Sequence, residues 1–146
     1  MIYLDYQATT PLDPQVLAAM EPWLRDQFAN PHSAHRMGRA AAAAVEVARG
    51  RVAALMPAGG RVIFTSGATE ALNIAIQGAA RRVRRGDARR VRVLTVETEH
   101  AAVRDTVLAL GEEGFEPVLL PVGADGLLDP ATVAAQLDDR AALLAV

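Results

Sequence analysis

Four stretches of this sequence combine residue types that could do chemistry. The first is Phe64-Thr65-Ser66-Gly67-Ala68-Thr69-Glu70, where a β-branched and aromatic run gives way to small residues and then to a helical pattern. A turn of that kind offers unpaired backbone N–H groups and the positive end of a helix dipole, and both suit an anion. Gly67 and Ala68 let the backbone come close, and the Thr69 hydroxyl can donate to a phosphate oxygen. The same residues also fit a tight turn with a serine cap and no ligand. The second stretch, Glu97-Thr98-Glu99-His100, occupies the same place in the next unit. Ligands in open α/β sheets bind beyond the carboxyl ends of the strands, so the two turns should share one rim. An imidazole there can stack on a flat heteroaromatic ring and move protons near neutral pH, or it can simply cap the helix that follows.

The third stretch is a pair of polar loops, Asp5-Tyr6-Gln7-Ala8-Thr9-Thr10-Pro11 and Asn30-Pro31-His32-Ser33-Ala34-His35-Arg36-Met37-Gly38. By their local pattern they are turns and caps. His32 and His35 make a poor metal pair without cysteine or a well-spaced carboxylate. No metal site is expected. The fourth is the arginine cluster Arg81, Arg82, Arg84, Arg85, Arg89, Arg90 and Arg92, across a helix end where cations suit the dipole. It reads as a solvated basic face, and nucleic-acid binding finds no supporting aromatics there.

Two absences limit the chemistry. The sequence has no cysteine, which excludes thiolate metal sites and cysteine nucleophiles within these residues. It has no lysine either: all 15 basic residues are arginine. A guanidinium stays protonated and cannot form a Schiff base.

These residues must be positioned by regular elements, and the 146 residues are enough for one domain. With 51% hydrophobic, 22% charged and 4% aromatic residues, the core is built mainly from Ala, Val, Leu and Ile. A net charge of −2 gives no general attraction to nucleic acid or anionic membrane. No apolar run approaches the roughly 18 residues of a membrane span, and the start lacks a signal-peptide pattern, so the cytoplasm is expected. Residues 1–6 form a short apolar opening segment. Asp13-Pro14 caps a helix running to about residue 28, with Pro22 marking a kink or break. Asn30-Pro31 turns the chain. The next helix has Met37, Ala41, Val45, Ala48, Val52 and Leu55 as its buried stripe. Strands are then expected at 61–65, 91–96, 116–122 and 141–146. The helices between them carry Leu72, Ala75, Ile76, Ala79 and Val83, then Val103, Val107 and Leu110, and the last is capped by Asp129-Pro130. Such alternation implies a mostly parallel sheet in a three-layer α/β/α arrangement. The final strand lies uncovered at a sheet edge, so the chain reads as a fragment.

In series these stretches resemble the cysteine desulfurases, class V aminotransferase-like members of the fold-type I group of pyridoxal-phosphate enzymes. That family opens with an aspartate followed closely by Ala-Thr-Thr-Pro, here Asp5 and Ala8-Thr9-Thr10-Pro11. Asn30-Pro31, Ser33, His35 and Gly38 match its next motif, Phe64 to Glu70 and Asn73 the third, and Thr98-Glu99-His100 with Ala101 and Val103 the fourth.

The resemblance implies an N-terminal segment followed by the first, incomplete part of a transferase large domain that binds pyridoxal 5′-phosphate. It implies that Ala68 and Thr69 hold the cofactor phosphate and that His100 stacks on the pyridine ring and assists proton transfer. Ala8, Thr9 and Thr10 would border the substrate pocket. The family converts L-cysteine to L-alanine and passes the sulfur as a protein persulfide, for iron–sulfur clusters or thiolated cofactors. Its members are typically homodimers that serve a sulfur-acceptor protein. Its Schiff-base lysine, its aspartate facing the pyridine nitrogen and its sulfur-accepting cysteine are expected beyond residue 146, so these residues alone are expected to be inactive. A selenocysteine lyase, another fold-type I enzyme or a noncatalytic remnant fits the same residues.

Overall fold

The computed structural model describes residues 2–57 and 60–146, so Met1 of the expected opening segment lies outside the described residues. The chain divides into two units, Met1–Phe64 and Thr65–Val146.

The first unit holds α1 (Pro14–Arg25) and α2 (Arg36–Ala53). Asp13 caps α1 as its sequence predicts: the carboxylate accepts from Gln15 N–H at 2.7 Å and Val16 N–H at 3.4 Å, and Pro14 needs no donor at the first position. Pro22 does not break the helix, which runs three residues past it. It ends at Arg25, short of the expected residue 28, because the Pro22 carbonyl takes the N–H groups of both Asp26 and Gln27. Asn30 then makes the expected turn, with its side chain accepting from His32 N–H at 2.9 Å and its carbonyl from Ser33 N–H at 3.0 Å. The expected buried stripe of α2 is only partly buried. Ala41 is buried and Val45 half-buried, whereas Met37, Ala48, Val52 and Leu55 are exposed. Periodicity names the face a helix can bury, but burial also needs a covering element, and this unit has only two helices and irregular segments among its described residues.

Residues 61–65 form no strand, contrary to expectation. A β-branched run becomes a strand only when a neighbour supplies the other half of the ladder. Here the Val62 carbonyl instead accepts from the Arg49 guanidinium at 2.6 Å, and that guanidinium lies 4.9 Å from the Phe64 ring centroid.

The second unit is a parallel α/β fold. Its elements are α3 (Ala68–Gly86), β1 (Arg92–Val96), α4 (Ala101–Ala109) with a short 3₁₀ turn Leu110–Glu113, β2 (Glu116–Leu120), α5 (Pro130–Gln136) and β3 (Ala141–Ala145). The sheet order is β2-β1-β3 with all pairs parallel, Arg92 to Val96 facing Glu116 to Leu120. The crossover through α4 leads from the central β1 to the edge strand β2, and that through α5 leads back across to β3. Right-handed connections, the rule for such crossovers, would put these two helices on opposite faces. Val93, Leu94, Thr95 and Val96 are all buried, although alternate residues point to opposite faces. A strand buried on both faces is the mark of a parallel sheet's centre. Ile76 and Ala80 of α3, Val103 and Val107 of α4, Leu110 and Phe115 pack with Val93 into one core. Pro117 is tolerated because β2 is an edge strand, where a missing N–H breaks no inner ladder.

Candidate functional site: one rim, two turns

The turn into α3 is held by hydrogen bonds among its own residues. Gly67 is the N-cap residue and has no side chain to cap with, so the helix begins without a side-chain cap. The first intrahelical bond is Ala71 N–H to the Gly67 carbonyl at 3.1 Å, so the N–H groups of Ala68, Thr69 and Glu70 precede the ladder. The serine cap that the local pattern also allowed does not form. Ser66 turns instead to Glu70, whose Oε2 accepts from Ser66 N–H at 2.6 Å and from Ser66 Oγ at 2.7 Å. These donors hold the Glu70 carboxyl below the usual carboxylate range, the backbone bond being the larger cause. The Thr65 hydroxyl donates to the Gly67 carbonyl at 3.0 Å. A Cβ added at Gly67 would meet open space.

His100 ends the matching turn after β1. It is the N-cap residue of α4, and its Nδ1 accepts from Ala102 N–H at 3.1 Å. With Nδ1 committed as an acceptor, the neutral ring carries its proton on Nε2. Glu99 holds the turn from below, its carboxylate accepting from His100 N–H at 3.2 Å. Capping and ring chemistry are thus compatible in this residue, since the cap uses one nitrogen only.

The two turns meet. Thr69 and His100 line one open cavity of about 450 Å³, with Asn73 from α3 and Ala102, Asp105 and Thr106 from α4. The shared rim expected from the sequence therefore exists in the second unit. Asn73, which the sequence reading noted only as part of a motif, stands on the cavity wall and donates to the Thr69 carbonyl at 2.9 Å. Its place one turn after Thr69 on the helix was the signal available. Ala8, Thr9 and Thr10 lie in the first unit as an exposed loop, where the Tyr3 hydroxyl donates to the carbonyls of Asp5 at 2.8 Å and Thr9 at 3.3 Å.

The motif of Asn30, Pro31, Ser33, His35 and Gly38 forms a packing knot. His35 caps α2 by accepting Gly38 N–H at 3.2 Å. A Cβ at Gly38 would collide with the carbonyl oxygens of Ser33 and Asn30, so only glycine allows α2 to start this close to the turn. In the arginine cluster Arg82, Arg85, Arg89 and Arg90 are exposed, as expected, whereas the other three are tied into the fold. Arg81 pairs with Glu113, and Arg84 lies 3.8 Å from the Phe115 ring centroid and donates to the Glu113 carbonyl at 2.9 Å. Arg92, largely buried, pairs with Asp138 at 2.9 Å. Among the described residues no group of three or more His, Asp or Glu side chains could hold a metal ion. Among the described residues no helix is long and apolar enough to cross a membrane.

A parallel sheet with two helix-opening turns lining one cavity defines an α/β protein. The aminotransferase class-V family model matches residues 2–146, and the chain belongs to that family. It is 46% identical over 147 residues to the human cysteine desulfurase, which covers 99% of this chain and 32% of that protein. It is 49% identical over 130 residues to the cysteine desulfurase IscS of Dechloromonas aromatica, covering 88% of this chain and 32% of that protein. The chain thus spans about a third of the length of these relatives. Among solved structures, a NifS-like protein matches with a TM-score of 0.79 at 32% identity, over 94% of this chain and 37% of its own. A structure described as SspA in complex with cysteine matches with a TM-score of 0.78 at 33% identity, over 97% of this chain and 40% of its own.

Proposed function

We propose that this chain supplies the phosphate cradle and the ring-stacking histidine of a pyridoxal-phosphate-dependent cysteine desulfurase. The observation that carries the reading is the single cavity lined by Thr69 and His100, contributed by successive turns on one rim. The residues fit the cofactor: the first turn of α3 has donors without a side-chain cap, a hydroxyl stands at Thr69, and Gly67 leaves open space beside them. The N–H groups of Ala68 and Thr69 and the Thr69 hydroxyl hold the phosphate. His100 stacks on the ring and moves a proton at Nε2, while Nδ1 stays tied to the Ala102 N–H. When bound, pyridoxal phosphate supplies an electron sink for chemistry at the carbon of an amino-acid substrate.

The proposed substrate is L-cysteine, and its use is supported by the cysteine held in one related structure. The overall change yields L-alanine and moves one sulfur onto a protein thiol as a persulfide, for iron–sulfur cluster or thiolated-cofactor synthesis through a sulfur acceptor. Neither a lysine nor a cysteine is present among the 146 residues, so both groups come from polypeptide outside this stretch. We read residues 1–146 as the N-terminal segment and the first part of the large domain, with Ala8, Thr9 and Thr10 bordering the substrate pocket. The working form proposed is a homodimer in the cytoplasm.

The test is to incubate the protein, as its gene encodes it, with pyridoxal phosphate, L-cysteine and a reductant, and to measure alanine and sulfide. Equal release of both is expected. Turnover of selenocysteine with no alanine from cysteine would overturn the reading in favour of a lyase.

A further inference from the structure

We propose that Glu70 is a positioning residue of the phosphate cradle, a latch that fixes the Thr65–Ser66 peptide and the Ser66 hydroxyl and thereby keeps the following N–H groups free for an oxyanion. The inference rests on the phosphate reading above and adds a residue to it. A glutamate at the third position of a helix ordinarily accepts from the N–H of the N-cap residue itself. Glu70 reaches one residue further, to the N–H and hydroxyl of Ser66, both on the same oxygen. The consequence lies in what is left unused. Thr65 and Ser66 are the two hydroxyls close enough in sequence to cap α3, and both are engaged elsewhere, Thr65 on the Gly67 carbonyl and Ser66 on Glu70. Gly67 at the N-cap has no side chain, and neither neighbouring hydroxyl takes its place, so the helix starts with no side-chain cap. The donors that hold Glu70 also push its carboxyl below its ordinary value, the Ser66 N–H being the larger cause.

Glu70 exerts two opposite effects on an anion. As a latch it favours binding by holding the donors in place. As a negative charge in the first helical turn it opposes binding. Glutamine separates them, because its amide oxygen still accepts from Ser66 N–H while the charge is gone.

The experiment titrates the apoprotein, as its gene encodes it, with pyridoxal phosphate and separately with pyridoxal, followed by absorbance, for wild type, E70A, E70Q and T69A. Loss of the latch in E70A is expected to weaken pyridoxal phosphate by about fivefold, the size of a lost helix cap, and to leave pyridoxal unchanged. E70Q is expected to stay within about twofold of wild type. The latch is overturned if E70A and E70Q both bind pyridoxal phosphate more tightly, which would make Glu70 a repelling charge only. It is equally overturned if E70A binds like wild type, or weakens both ligands alike as a general loss of structure would. T69A separates the two levels of the argument. Weakened phosphate binding in T69A with normal binding in E70A removes the latch alone, and normal binding in T69A removes the phosphate reading with it.

Discussion

At the scale of single residues, His100 caps α4 with one nitrogen, and the proposed ring chemistry falls to the other. Its Nδ1 caps α4, and only the remainder of the ring is available to a ligand. Asparagine can cap but cannot stack, and alanine can do neither. H100A should therefore lower stability by about 1 kcal/mol in denaturant melts, while H100N should not. Both should lose the ring-dependent part of cofactor binding, read as the bound chromophore's absorbance. Thr95 is the opposite case, a hydroxyl that does nothing favourable. It is fully buried at the centre of the sheet, and its Oγ1 has no hydrogen-bond partner among the described residues. Valine has nearly the same shape, so T95V should raise the unfolding free energy by about 1 kcal/mol. A loss of stability would mean that the hydroxyl has a partner.

Asp87 gives a pH signature. Side-chain and backbone hydrogen bonds from Arg89 lower its carboxyl to about 2. Its folded value lies below its unfolded one, so the stabilisation is complete above the unfolded value. It is lost as pH falls through the ordinary carboxylate range towards 2. An NMR titration of this carboxylate should find its midpoint near 2, and D87N should flatten the acid limb of the stability profile slightly. The effect should be small, because Arg89 is mostly exposed and screened by solvent.

At the scale of elements, close approach and stapling matter more than propensity. Gly38 has no room for a side chain between α2 and the turn at Asn30 to Ser33. G38A should cost about 1–3 kcal/mol in unfolding free energy, since the obstructing atoms are backbone and cannot step aside cheaply. The local pattern did not mark this glycine as a packing requirement, because the collision depends on how the turn just upstream, at Asn30 to Ser33, folds back on the start of α2. The arginines in the last turns of α3 and beyond it show a different limit, that of distance along the chain. Sequence position makes them a basic patch, whereas the fold gives Arg81 and Arg84 to Glu113, and Arg92 to Asp138. Their partners lie some thirty to forty-six residues away in the chain. The caps were legible for the contrary reason. Asp13, His100 and Asp129 bond N–H groups two residues on, so their effect is complete within the local sequence.

At the scale of the whole molecule, the two units differ in how well they are filled. The second has a continuous core, with Val93, Leu94, Val107, Leu110 and Leu120 almost without exposure. In the first, Ile2, Leu4, Leu24, Phe28 and Leu55 each expose more than six-tenths of their surface, and α1 buries no residue. Such a display, together with the half-buried edge strand β3, favours association. A polypeptide of these 146 residues should elute from a sizing column as oligomer or aggregate at micromolar concentration. A monomeric peak with a sharp, reversible melt would contradict this.

What the sequence determined by itself was everything decided within a few residues. It set the order of the helices, the parallel strands that find neighbours, the proline and aspartate caps, and the two turns that could meet a phosphate and a ring. Tertiary structure decided which apolar stripes are covered and whether residues 61–65 pair. It also decided that Ser66 serves Glu70 rather than the helix, and that Thr69 and His100 face the same cavity. The physical reason is range. Caps, turns and periodicity are satisfied by near neighbours in the chain, whereas burial, strand pairing and a shared cavity each need a partner that only folding delivers.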